Sequence, residues 1–242
     1  MNWEPTNQIQ SPLIGMDDMQ PGSDAPAASS VLDARSYGQG VILGSMDRSE
    51  QGKSNSSRWT NVTSNDALVD HLMALYFCWE YPTFASLSKE HFLEDFKSGT
   101  ARYCSPLLVN AILALGCRLS SQPETCSDPN DTSTSGDHFF AEAMRLLESE
   151  GSRQLITTIQ ALGLMSLREA SCGRTSESLF LSGQSIRLAI ELGLHQDRQE
   201  DESMRAEIDH EIRSATFWGA FALDQYVYAI IFTSNPTSPV RN

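Results

Sequence analysis

The chain has 242 residues, of which 40% are hydrophobic, enough for one core and a polar segment beside it. Its 17 Lys and Arg residues against 31 Asp and Glu residues give a formal net charge of -14, so unaided binding to DNA phosphates is disfavoured. The apolar runs are far shorter than the roughly 18 residues of a membrane-spanning helix, and we expect no membrane partner.

Residues 1–65 differ in composition from the rest of the chain. They are rich in Ser, Gly, Pro, Asp and Asn, and their apolar residues follow no period. Such a segment buries too little apolar surface to offset the entropy lost on ordering. The composition therefore predicts a disordered tail or linker over 1–65.

The first predicted helix follows the capping residues Ser64, Asn65 and Asp66. Its apolar residues recur at i, i+4, i+7, i+8 and i+11, which is one face of an α-helix. They are Leu68, Leu72, Leu75, Tyr76 and Trp79. Pro82 ends this helix, because proline disfavours a helical conformation in the residue before it.

Three further helices are predicted by the same criteria. Ser88 caps a short helix, and Ser105-Pro106 begins the next, with proline at its first position. A polar loop over 120–136 precedes the helix that contains Phe139. Their apolar residues are Phe92, Leu93 and Phe96, then Leu107, Leu108, Ala111, Ile112, Leu115 and Leu119, then Phe139, Phe140, Ala143, Met144 and Leu147.

The last three helices complete the predicted domain. Thr157 and Gln160 have the spacing of a capping box, and Gly173 is a plausible helix end. A helix over 176–192 then ends at Gly193, where a left-handed residue is favoured. The final helix spans about 201–228, and its predicted core face is Met204, Ile208, Ile212, Ala215, Trp218, Phe221 and Ala222.

Seven helical patterns without an alternating strand predict an all-α domain over 66–232, with a second disordered tail over 233–242. The helices around 157–173 and 176–193 are joined by a short turn, which predicts layered antiparallel helix pairs, as in bundles or solenoids. The five cysteines lack a Cys-x-x-Cys pair, which argues against structural zinc and predicts reduced, mostly buried thiols.

Two stretches resemble a known family. Residues 183–197 are GQSIRLAIELGLHQD, and residues 211–224 are EIRSATFWGAFALD. They resemble the middle homology region of fungal regulators that carry a binuclear zinc cluster, with its G-x-A-I-R-L-A-x-x-L-G-L-H and R-x-x-x-F-W-x-x-F-x-L-D motifs. The likeness is to the nitrate-assimilation and xylanolytic-activator type, and it covers about 66–225. The upstream matches are Tyr76-Phe77, Tyr81-Pro82, Phe84, Phe92 and Phe96.

The resemblance implies a nuclear regulatory domain that modulates DNA-templated transcription through protein partners, including homo- or heterodimers with full-length relatives. Family members bind DNA and zinc through an N-terminal cluster of six cysteines, which this chain does not show. We therefore expect no cofactor and no autonomous DNA binding. Gln225 stands where the family has Arg before a G-R-P segment, so an incomplete domain with an exposed apolar end is expected.

Five motif residues are candidates for structural or regulatory roles: Arg187, His195, Arg213, Trp218 and Asp224. One of the two arginines is hypothesised to pair with Asp224 between helices and fix their register. His195 is interpreted as a helix-end residue near terminal carbonyls rather than a ligand or a general base.

Trp218, with Phe217 and Phe221, is interpreted as core, with a small-molecule pocket as the alternative. The spacing of nucleophiles, bases and glycines shows no catalytic or phosphate-binding motif, so we predict a non-enzyme. A metabolite-binding or enzymatic helical protein and a non-functional fragment stay open as alternatives.

Overall fold

A computed structural model describes residues 56–149, 155–196 and 204–234, all of which lie in one compact unit, Gln51–Asn242. These residues form eight α-helices and no β-strand, which confirms the all-α prediction. The helices are α1 (Ser56–Trp59), α2 (Asp66–Leu75), α3 (Lys89–Ser98), α4 (Pro106–Cys117), α5 (Asp137–Ser149), α6 (Ile156–Ser171), α7 (Thr175–Glu191) and α8 (Met204–Ser234).

Ordered structure begins before the predicted boundary at residue 65. Trp59, at the end of α1, is only 3% exposed, and its indole N–H donates to the Phe96 carbonyl at 3.0 Å. The Asn110 side chain donates to the Trp59 carbonyl and accepts from the Thr60 hydroxyl. The prediction of a disordered 56–65 is therefore wrong, because one large buried side chain anchors a segment that has no periodicity. The rest of both predicted tails, 1–55 and 235–242, lies outside the described residues.

The first predicted helix is confirmed at its start and differs at its end. The Asn65 side chain accepts from the Leu68 N–H at 3.2 Å, as expected of a cap. After α2 the chain continues as a π-helix over Tyr76–Glu80, in which the Tyr81 N–H donates to the Tyr76 carbonyl. A π turn holds more residues than an α turn and so rotates the side chains that follow it. Trp79 is consequently 68% exposed rather than on the core face.

Helix α4 lies at the centre of the core. The Ser105 hydroxyl accepts from the Leu108 N–H, and Pro106 occupies the first turn, as predicted. Every side chain from Leu107 to Cys117 is buried, which is expected of a helix that is apolar on all sides. Helices α2, α5 and α6 pack around α4.

The last helices form the antiparallel layers that were predicted. Ser166 of α6 donates to Ser178 of α7, and Ser185 of α7 donates back to Ile159 of α6. The residue numbers of these two pairs have the same sum, which identifies an antiparallel hairpin. Its turn contains Gly173 at φ 74°, and α7 is followed by Gly193 at φ 64°, so both predicted stops are confirmed.

The predicted capping box at Thr157 is wrong. Helix α6 begins at Ile156, and Leu155 is its N-terminal flanking residue. The Gln160 side chain instead donates to the Ser86 carbonyl at 3.1 Å and to the Thr216 hydroxyl at 2.9 Å. The Gln160 side chain therefore makes tertiary contacts and no local cap.

Candidate functional site

Helix α8, which carries one of the family-like motifs, packs on the core through the face opposite to the aromatic one. Its buried residues are spaced at i, i+4, i+8, i+11 and i+15, and they are Ile212, Thr216, Ala220, Leu223 and Val227. Trp218 is 61% exposed and Phe221 is 44% exposed, so the prediction that both belong to the core is wrong. The inward-facing side chains are small, Thr216 and Ala220, at the level where α8 lies closest to Ser86.

Gly219 permits this close approach. A Cβ atom at position 219 would lie 2.5 Å from the Ser86 Cβ and 2.7 Å from the Ser86 Cα. Thr216, three residues earlier on the same helix, donates its hydroxyl to the Ser86 carbonyl at 3.2 Å. The glycine of the motif therefore serves the docking of α8.

Gly219→Ala is expected to destabilise the fold by about 1–3 kcal/mol, because the added methyl forces α8 away from Ser86. Gly183→Ala is the matched control, since Gly183 also lies within a helix but a Cβ there would meet only the flexible Arg187 side chain. That substitution is expected to stabilise by about 0.5–1 kcal/mol through helix propensity. Chemical denaturation of both variants measures the two shifts, and shifts of the same sign contradict the close approach.

The hypothesised pairing of Arg187 or Arg213 with Asp224 is wrong. Asp224 accepts from the Ser182 hydroxyl at 2.9 Å, whereas Arg187 donates to the Gly183 carbonyl. Helices α7 and α8 run antiparallel, so Asp224 lies beside the middle of α7. Arg213 lies 11 residues earlier on α8, about 16 Å away along the helix axis. It therefore lies beside the C-terminal end of α7 rather than its middle.

Arg213 provides the charge at the C-terminal end of α7. Its guanidinium donates to the Leu192 carbonyl at 3.4 Å and to the Gly193 carbonyl at 3.3 Å. A cation at this position interacts favourably with the helix dipole. In the described part of the chain, these carbonyl contacts come from Arg213 rather than from His195. The exposed His195 ring lies 5.8 Å from the half-buried Phe217 ring.

The structure contains a buried ionic cluster that was not predicted from the sequence. Arg168 of α6 is fully buried and pairs with Glu169 at 2.6 Å and with Asp137 at the start of α5. It also donates to the Ser135 carbonyl. Arg174 binds the same Glu169 carboxylate, and this hydrogen bond raises the pKa of Arg174. The adjacent opposite charges at 168 and 169, inside an apolar helix, are the local signal of this cluster.

Two cavities bear on the alternative that the protein binds a metabolite. The space around Ser86, Gln160 and Thr216 is too small to admit a water molecule, and no acidic, basic or thiol side chain lines it. An open pocket of about 480 Å³ between the α2 N-terminus and α5 is lined in part by Cys126 and His138. Burial lowers the pKa of His138, which favours the neutral imidazole at neutral pH. The five candidate motif residues line neither cavity.

The cysteines of the described segments form no disulfide. Cys104 and Cys117 are buried, Cys78 is exposed, and the other two are half-buried. Burial raises the pKa of Cys117 to about 12, so this thiol stays protonated. Across residues 56–149, 155–196 and 204–234, no three His, Cys, Asp or Glu side chains are grouped to hold a metal ion.

Within the described residues, no helix combines the length and the apolar character that crossing a membrane requires.

The matching family profile and the most similar proteins agree on one family. The profile described as fungal specific transcription factor domain matches residues 73–236. The chain is 47% identical over 174 residues to the nitrogen assimilation transcription factor nirA of Emericella nidulans. It is 46% identical over 177 residues to the nitrogen assimilation transcription factor nit-4 of Neurospora crassa, and 32% identical over 181 residues to the notoamide biosynthesis transcriptional activator notL' of Aspergillus versicolor.

These matches cover most of this chain but little of the relatives. They include 70%, 69% and 74% of the chain, but only 19%, 16% and 28% of nirA, nit-4 and notL' respectively. No solved structure matches the chain.

Proposed function

Because this chain belongs to the fungal specific transcription factor domain family, we propose that it is the helical regulatory domain of a zinc-cluster-type regulator and modulates transcription through protein contacts. The observation that carries the proposal is the 47% identity to a nitrogen assimilation transcription factor over 174 residues. The chain acts in the nucleus, without catalysis and without a cofactor of its own.

The charge of the chain supports a regulatory rather than a DNA-contacting role. With a net charge of -14, the chain is repelled by duplex phosphates unless a basic module accompanies it. DNA contact therefore falls to a zinc cluster outside this sequence or to a dimer partner that carries one.

The motif residues support the same role through structure. Arg213 and Asp224 bind α7 from α8, and Gly219 brings α8 against Ser86. These contacts fix the helix that presents Trp218 and Phe221 to solvent. A rigid helix with exposed aromatic side chains is suited to binding another protein.

A chimeric regulator tests the proposal. The full chain is inserted between a heterologous DNA-binding domain and a constitutive activation domain, and reporter transcription is measured in fungal cells grown on nitrate and on ammonium. We expect the inserted chain to change reporter output several-fold relative to the fusion without it. The matched control contains a domain of equal length from an unrelated helical protein.

Equal output from all three fusions on both nitrogen sources would contradict a regulatory role. Protein levels are compared by immunoblot, so that degradation of one fusion is not mistaken for regulation.

A further inference from the structure

A continuous seam runs along the outside of α8. Its residues are separated by 4, 3, 4, 3 and 4 positions, which is the heptad spacing of helices that pair along their length. The outer seam comprises Glu207, Glu211, Ser214, Trp218, Phe221 and Gln225. All are exposed except the half-buried Ser214, and the seam is about 27 Å long.

Three other sides of α8 make contacts within the protein. Helix α7 contacts one side through Asp224 and Arg213, and Ser86 lies against the other side at Gly219. The side opposite to the seam packs on the core. The Trp218 and Phe221 rings meet edge to face, with their centroids 6.0 Å apart. Neither side chain belongs to a hydrophobic core cluster of the described residues.

The charges along the seam restrict what can cover it. The N-terminal half of the seam carries the carboxylates of Glu207 and Glu211, and the C-terminal half carries the two aromatic rings. A covering helix needs Lys or Arg against the carboxylates and apolar side chains against Trp218 and Phe221.

A second copy of the chain does not meet this requirement. A parallel pair of α8 helices sets Glu207 and Glu211 against themselves. An antiparallel pair centred on the seam sets Glu211 against Phe221 of the other copy, which desolvates a carboxylate without a partner. The net charge of -14 adds a repulsion that acts at longer range.

We infer that the outer seam is the docking site for an amphipathic helix of a partner protein, basic at one end and apolar at the other. This inference rests on the proposed function and names the chemistry of the partner through which the domain acts. The mode is helix pairing along a heptad seam, with Trp218 and Phe221 as its apolar anchors.

Binding of two synthetic helices to the full chain tests the seam. The probe peptide, about three heptads long, has Leu at the a and d positions opposite Trp218 and Phe221 and Lys at those opposite Glu207 and Glu211, and the comparison peptide has Glu in place of each Lys. By fluorescence anisotropy we expect the basic peptide to bind at least about tenfold more tightly than the acidic one, with an affinity that falls as salt is added.

Matched substitutions locate the binding. Trp218→Ala and Phe221→Ala are each expected to weaken binding of the basic peptide about tenfold or more. Trp79→Ala and Phe180→Ala remove the same side chains from exposed positions on other elements and are expected to leave the affinity unchanged. The double substitution Glu207→Gln with Glu211→Gln is expected to abolish the preference for the basic peptide. Thermal melting confirms that each variant is folded.

The docking proposal is overturned if the wild-type chain and the Trp218→Ala variant bind the basic peptide with equal affinity. It is also overturned if the wild-type chain binds both peptides with equal affinity. A dimer in sedimentation that Trp218→Ala dissociates also overturns it, in favour of a second copy. In the chimeric reporter, regulation that persists unchanged in the Trp218→Ala and Phe221→Ala variants rejects the seam and leaves the proposed function standing. Failure of the wild-type chain to change the reporter output rejects the proposed function itself.

Discussion

Trp59→Ala is expected to lower the free energy of unfolding by about 3–5 kcal/mol, the range for truncation of a large buried aromatic side chain. The Trp59 indole is 3% exposed, stacks on Phe96 with ring centroids 6.1 Å apart, and donates to the Phe96 carbonyl. Its loss leaves a cavity between α1 and α3 and an unpaired carbonyl. Urea denaturation of the full chain, followed by far-UV circular dichroism, measures the change.

Trp79→Ala is the matched control, because the same side chain is removed from a position that is 68% exposed. We expect that change to stay within about 0.5 kcal/mol. If the two tryptophan variants unfold at the same urea concentration, then 56–65 is not part of the folded unit and the original boundary at 65 is restored.

Arg168→Met is expected to cost about 3 kcal/mol, since removing one partner of a buried ion pair leaves an uncompensated charge. Glu169, which is almost completely buried, loses its closest cation, and the Ser135 carbonyl loses its donor. The cost lies at the low end for such a change because Arg174 still binds the Glu169 carboxylate. The guanidinium also lies 4.8 Å from the centre of the Phe140 ring, a contact that methionine replaces in part.

The control for this variant is Arg145→Met, which breaks an ion pair with Glu142 on the surface of α5. Exposed pairs contribute about 0–1 kcal/mol, so this variant is expected to unfold close to the wild type. Comparable losses in the two variants would show that burial of the Arg168 cluster does not determine its contribution.

Local signals predicted the helices well and their packing less well. The Asn65 and Ser105 caps, Pro106 and the glycines after α6 and α7 act within a few residues of where they stand, so the sequence alone identifies them. The π turn at 76–80 has no such signal. It moved Trp79 out of the core although the apolar spacing placed it there.

The orientation of α8 shows the limit of periodicity most clearly. The apolar spacing predicted a core face that ran from Ile212 to Trp218 and Phe221. The structure buries Ile212 but turns the two aromatic side chains outward. Gly219 and Thr216 instead fit against Ser86, more than a hundred residues away in the chain. A contact of that sequence separation is invisible to any local pattern.

The individual contacts of the candidate residues were not predicted. Arg213 caps α7 in the place expected for His195, and Asp224 binds Ser182 rather than an arginine. Antiparallel pairing of α7 and α8 determines both contacts, and the register of that pairing depends on side chains along the whole interface. The family resemblance supplied the functional prediction, which helix patterns alone do not carry.

Replacement of a domain in a relative tests the central claim most directly. The segment of the Emericella nidulans nitrogen assimilation transcription factor that aligns with this chain is exchanged for the chain itself, and transcription from a promoter under that factor's control is measured beside the wild-type factor and a deletion of the segment. If the chain is a regulatory domain of this family, the exchanged factor retains regulated transcription well above the deletion. Output equal to that of the deletion, with normal protein levels, would contradict it.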